Sequence, residues 1–208
     1  LGAKAPHGVV EYAYYLMARA AGVLMSECRL LPEGPRTHFM TRRFDREHDA
    51  TGAQVRHHVQ SLCALDHLDF RMKDTHSYAQ LFSVVDRLGM GADDREQVFR
   101  RMVFNVAAAT CDDHTKNVAF LLPQGHRAWE LAPAFDVTHA YNPQGEWTQR
   151  HQMSVNGKFD GIGIRDFHAV GEQFSVPATS RWCARCSTSS TGGPGSPARP
   201  GWIGPRRR

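Results

Sequence analysis

Cys111-Asp112-Asp113-His114-Thr115-Lys116-Asn117 is a run of seven mostly polar residues set between two apolar segments. On its N-terminal side Val98, Phe99, Met102, Val103 and Val106 recur at helical spacing, so residues 95–109 read as a strongly buried helix. Asp93 and Asp94 stand ahead of it as N-cap and first-turn acid. On the other side Val118 to Leu122 has the length and composition of a buried strand, Pro123-Gln124-Gly125 of a turn, and Ala128 to Leu131 of a second strand. Pro133-Ala134-Phe135-Asp136-Val137 is a tight segment after it. Acids thus stand at both outer ends of a hairpin, which would fold Asp136 back beside Asp112 and Asn117.

Phosphoryl transfer needs an acid that accepts the substrate hydroxyl proton, an Asn a few residues on that reaches Mg²⁺, and a second Asp that holds metal against the phosphates. Asp112 and Asn117 have the Asp-x-x-x-x-Asn spacing of a kinase catalytic loop, and Asp136 follows Asp112 by 24 positions. Mg²⁺ takes oxygen ligands and keeps several waters, so one amide oxygen and one carboxylate suffice beside the phosphates. The spacing alone also occurs in ordinary solvated loops. Its placement after a buried helix, with a second Asp beyond a hairpin, favours the kinase-like reading.

Working outward, Glu11 to Ala21 reads as a helix whose apolar face is Tyr12, Leu16, Met17 and Ala20, stopped by Gly22. Glu11 is taken as a helix N-terminal acid, with a distant analogue of a kinase helix glutamate as the alternative. Met25 to Leu31 and His38 to Phe44 form a hairpin around Pro32-Glu33-Gly34-Pro35, and Asp45 to Gly52 reads as a polar loop. The second half of Val55 to Leu65 reads as helical. Tyr78 to Leu88 is an amphipathic helix ending at Gly89. Residues 138–150 read as a polar loop, 151–155 as a strand, Asn156-Gly157 as a turn and 164–174 as a last helix.

The length of 208 residues fits one domain with a tail, and no run approaches the roughly 18 to 20 apolar residues of a membrane span. Residues 175–208 hold six Arg, no Lys and no acid, which leaves 19 basic against 21 acidic residues in the body. That tail, with five Pro, five Gly and six Ser, is expected to be disordered. It also resembles a GC-rich gene read in a shifted frame. Direct nucleic-acid binding is not expected except through this tail. The five scattered cysteines form no disulfide framework, so a reducing cytoplasm is the expected location. A start at Leu1 without a leader pattern reads as a processed chain or a fragment.

Phe104-Asn105 through Asp112-Asp113-His114-Thr115-Lys116-Asn117, followed by Leu131-Ala132-Pro133-Ala134-Phe135-Asp136-Val137, resembles the HipA-like serine/threonine kinases, toxins of bacterial toxin–antitoxin modules. His38 to Arg46 looks like the family's hinge strand, and Met153-Ser154-Val155-Asn156-Gly157-Lys158 is a further match. The resemblance covers roughly residues 8–174. It implies an α+β, kinase-like fold, the mainly helical C-lobe with short strands. It implies ATP and Mg²⁺ as cofactors, a protein Ser or Thr as acceptor, and a small DNA-binding antitoxin as partner. It makes Asp112 the catalytic proton acceptor and Asn117 and Asp136 the metal ligands. It places His114, Thr115, Lys116, Asn117, Phe135 and Asp136 at the ATP site, with Arg42, Arg43 and Phe44 against the adenine. Lys116 would screen phosphate or pair with a neighbouring carboxylate, and Asp113 would be an exposed neighbour.

The family's phosphate-covering loop and ATP-binding Lys have no counterpart in residues 1–10, where Lys4 is the one Lys and Gly2 and Gly8 form no Gly-rich pattern. Residues 1–174 therefore read as a truncated catalytic domain, and a catalytically inactive remnant acting as a protein-binding module is the rival reading. A transition-metal hydrolase using Asp112, Asp113, His114 and His139 would leave Asn117 and Asp136 without a role. His57-His58 and Asp66-His67-Leu68-Asp69 read as solvated loop residues, and Cys183 with Cys186 is half of a zinc pattern.

Overall fold

The structure, a computed structural model, describes residues 7–176. The expectations on Gly2 and Lys4, on Cys183 and Cys186, and on the tail from residue 177 onward lie outside the described residues. Ser175 and Val176 are described, and Val176 is buried with its N–H donating to Gly171 at 2.9 Å.

Five helices alternate with nine short strands among the described residues. Helix α1 (His7–Ala20) leads into the hairpin β1 (Cys28–Glu33) and β2 (Arg36–Thr41), paired from Cys28↔Thr41 to Glu33↔Arg36. A second hairpin joins β3 (Arg46–His48) to β4 (Gln54–Arg56). Strand β5 (His58–Ser61), the short α2 (Leu62–Leu65), β6 (His76–Ser77) and α3 (Tyr78–Arg87) follow. Helix α4 (Ala92–Ala107) precedes β7 (Ala119–Leu122), β8 (Glu130–Leu131), β9 (Met153–Ser154) and α5 (Ile164–Gln173). Strands β5, β7 and β8 form one antiparallel sheet, and β6 and β9 pair in parallel.

The core is the junction of α3 and α4 with the small sheets. Leu81, Phe82 and Val85 meet Val98, Phe99 and Met102, and Leu62, Phe120 and Met153 close the cluster. Phe82 stacks on Phe174 with ring centroids 4.6 Å apart, which seats the end of α5. Each such side chain contributes about 1.5–3 kcal/mol of burial. A smaller cluster of Ala18, Val23, Phe104, Ala134 and Val137 joins α1, α4 and the segment carrying Asp136.

The expectation of a mainly helical lobe is not confirmed. Residues 45–61, read as loop and part helix, supply β3, β4 and β5, because ladders of three and four residue pairs are too short to show a period of their own, and β5 is held by β7 far along the chain. Helix α4 starts one residue before Asp93 with Gly91 as its cap, and Asp94 takes the Gly91 N–H at 3.2 Å. In α1 the buried residues are Tyr15 and Ala18, while Leu16 and Met17 are 51% and 48% exposed. The helix is apolar almost all round, so its sequence presents no single stripe, and the face chosen by spacing is the outer one. Gly22 does stop it, at φ 79°, with Val23 N–H returning to Ala18.

Candidate active site at the 110–117 loop

The loop is tied down at both ends. Helix α4 hands over to it through Ala109 at φ 53° and the bond from Thr110 N–H to Asn105 O at 2.9 Å. At its far end Cys63 N–H reaches Thr115 O at 3.0 Å and Leu62 N–H reaches Val118 O at 2.8 Å, fastening it to α2. The β7–β8 hairpin, in register Phe120↔Leu131, then returns the chain, as its sequence predicts. Buried Arg101 donates to Ala132 O at 2.7 Å, and Ala134 N–H donates to Leu24 O at 2.8 Å. Burial lowers the Arg101 guanidinium to about 10, opposed by the charge of Asp94.

One cleft is lined by Asp112, Asn117, Phe135 and Asp136 together. Asn117 Nδ2 donates to Asp112 O at 2.9 Å, and its amide oxygen has no hydrogen bond among the described residues. Asp136 sits at φ 55°, a left-handed conformation costing of order 1 kcal/mol or more outside glycine, held by the anchored segment around it. Glu11 of α1 lies near enough that its carboxyl is raised, by burial first and then by the charge of Asp136. It stands one turn into α1, so the N-terminal-acid reading is not met.

A divalent cation suits this donor set. The Asn117 amide oxygen and the Asp112 and Asp136 carboxylates, which share one cleft, are of the hard oxygen type that Mg²⁺ prefers. Among the described residues no group of three or more His, Cys, Asp and Glu is arranged to hold a metal ion by itself.

The other expected ATP-site residues surround that cleft without lining it, and His114 Nε2 lies 3.8 Å from Asp112 Oδ1. Thr115 is fully buried, Lys116 Nζ lies 4.0 Å over the Phe70 ring, and His114 faces Phe70 edge-on. Among the described residues Lys116 is held against this aromatic face and no carboxylate pairs with it. Phe44 meets Phe135 at 5.9 Å, while Arg43 is held bidentately by Asp45, and Arg42 is exposed with its N–H on Glu27 O at 2.8 Å.

Asp113 corrects the sequence reading outright: it is 3% exposed, not a surface neighbour. Its Oδ2 accepts from Tyr78 Oη at 2.9 Å and His151 Nδ1 at 3.0 Å, and its Oδ1 accepts from Gln152 N–H at 2.8 Å. Asn105 Nδ2 donates to Tyr78 Oη at 2.9 Å. Three donors make burial of the carboxylate tolerable. Burial and the charge of Asp113 hold the Tyr78 phenol well above its usual range, so it remains a donor. The same two causes push the Cys111 thiol up to about 11. Its Sγ lies 4.0 Å from His151 Nε2, yet a buried thiol so raised is no nucleophile. Tyr78, His151 and Gln152 are site residues that sequence spacing does not find. The signal available is the His151-Gln152 pair just ahead of the Met153-Ser154 motif.

A family model for the HipA-like C-terminal domain matches residues 3–190. No curated protein sequence matches the chain. Among solved structures, HipA of the Shewanella oneidensis MR-1 toxin–antitoxin system, in complex with HipB and operator DNA, aligns with TM-score 0.69 and 18% identity, over 89% of this chain and 49% of that one. The Helicobacter pylori proinflammatory kinase CtkA aligns with TM-score 0.48 and 14% identity, over 64% of this chain and 47% of that one. The chain thus spans about half the length of the structures it matches.

Proposed function

The chain belongs to the HipA-like C-terminal domain family, and on that premise we propose that it carries the proton- and metal-handling part of an ATP- and Mg²⁺-dependent serine/threonine protein kinase. The observation that supports this most is the shared cleft of Asp112, Asn117 and Asp136. Asn117 Oδ1 and the Asp136 carboxylate would hold Mg²⁺, which when bound offsets the charge of the phosphate oxygens. Asp112 takes the proton of the acceptor hydroxyl. Its side chain is 45% exposed, so a protein segment reaches it from solvent. Phe44 and Phe135 offer an apolar wall for the adenine. The toxin role, a small DNA-binding antitoxin partner and a cytoplasmic location belong to the same proposal. They are consistent with the HipA–HipB–DNA relative, and among the described residues no helix is long and apolar enough to cross a membrane.

Calorimetry with ATP and Mg²⁺ tests this reading on the chain and on Asp136→Ala. Binding is expected in the parent and lost in the variant. A folded chain that binds in neither form favours the inactive protein-binding remnant instead.

A further inference from the structure

We propose that Gln152 is a positioning residue for Asp112: its side-chain amide occupies one carboxylate oxygen so that the other is presented to the acceptor hydroxyl. The inference rests on the phosphotransferase reading for its kinetic consequence and on geometry for its existence.

Gln152 Nε2 lies 2.8 Å from Asp112 Oδ1. A carboxylate only accepts, so the amide must turn its N–H₂ toward it. No described residue hydrogen-bonds Asp112 Oδ2, which is left for the incoming hydroxyl. Such a bond to a charged acceptor is stronger than a neutral one.

The backbone of Gln152 is itself fixed on two sides. Its N–H is held by Asp113 Oδ1 at 2.8 Å, and the next residue, Met153, enters the parallel ladder opposite His76. His151, immediately before it, donates through Nδ1 to the same buried carboxylate. Asp113 in turn is held by Tyr78, the first residue of α3, which takes its own bond from Asn105 of α4. A chain of buried and half-buried hydrogen bonds thus runs from the two core helices through Asp113 to the backbone of Gln152, and ends on the oxygen of Asp112. Gln152 also closes the 138–152 segment that begins beside Asp136. The orientation of the proton acceptor is therefore coupled to the folded return of that segment, although no residue in it other than His151 and Gln152 touches the 111–113 stretch by a side-chain hydrogen bond among those described.

Gln152→Met keeps the length of the side chain and removes the donor, and Gln152→Glu sets a second carboxylate against Asp112. In phosphoryl-transfer assays of the whole chain, kcat is expected to fall about 10- to 100-fold in Gln152→Met and further in Gln152→Glu, with the KM for ATP unchanged. Packing alone would leave the Met variant near parent activity, and that result would overturn the proposal. A readout independent of activity is the Gln152 side-chain amide pair in a ¹H–¹⁵N spectrum, identified by its loss in Gln152→Met. In Asp112→Ala these two resonances are expected to shift and to exchange faster with solvent. Amide resonances that ignore Asp112→Ala sink the clamp even where no transfer is detected. A shift in that spectrum together with absent ATP binding keeps the clamp and rejects the kinase reading.

Discussion

Tyr78 Oη donates to buried Asp113 and accepts from half-buried Asn105, so a single hydroxyl serves two polar groups. Tyr78→Phe leaves the packing intact, removes one of the three donors to Asp113 and takes the hydroxyl acceptor from Asn105 Nδ2. A buried polar group stripped of its partner costs about 1–3 kcal/mol, so urea unfolding should show a loss of that size, with an unchanged m-value. Asp166 is a second buried acid, lowered to about 2 by the Gly163 N–H first and then by Asn156 and Lys158. Its folded value lies below the roughly 3.9 of an unfolded chain. The stability it contributes is therefore fully present above that value and is lost as pH falls toward 2. Denaturation midpoints of the parent and Asp166→Asn, taken from pH 6 to pH 2, should differ at the upper end and converge below about pH 4.

Helix α1 and strand β2 approach so closely that a Cβ on Gly8 would lie 2.9 Å from Phe39 N and 3.3 Å from Phe39 Cβ. In an open helix Gly→Ala adds about 1 kcal/mol of stability. Here the sign reverses, because a strand backbone cannot swing aside as a side chain does, and thermal unfolding of Gly8→Ala should fall below the parent. The elements that sequence renders readable are those with a period or a punctuation of their own. Helix α4, the polar loop, the β7–β8 turn and Asp136 all belong to this class, and so does the β1–β2 hairpin around Gly34 and Pro35. Asn156-Gly157 forms the expected turn, both residues at positive φ and bridged from Val155 to Lys158. Strands β6 and β9 are two residues each and meet in parallel across most of the domain, which no local pattern encodes. Asp113 and His151 stand 38 positions apart, so their pairing, and with it the burial of Asp113, becomes visible only once the chain is folded.

At the scale of the molecule the cleft draws on α3, α4, the 110–118 stretch and the 134–137 segment together, so a ligand there links segments distant in sequence. A ligand that binds the folded form alone adds RT ln(1 + [L]/Kd), about 2.7 kcal/mol at one hundred times Kd. ATP with Mg²⁺ should therefore raise the melting temperature of the chain by several degrees, and the rise should vanish in Asp136→Ala. Asp112 and Asp113 make the last point. One faces solvent and carries the proposed chemistry; its neighbour is buried and held by three hydrogen-bond donors. Under mutational drift the first can be replaced with little loss of fold, whereas the second cannot. A descendant released from catalysis would thus keep its shape while its reactive carboxylate erodes, and would present to any partner a surface nearly unchanged from that of the working protein.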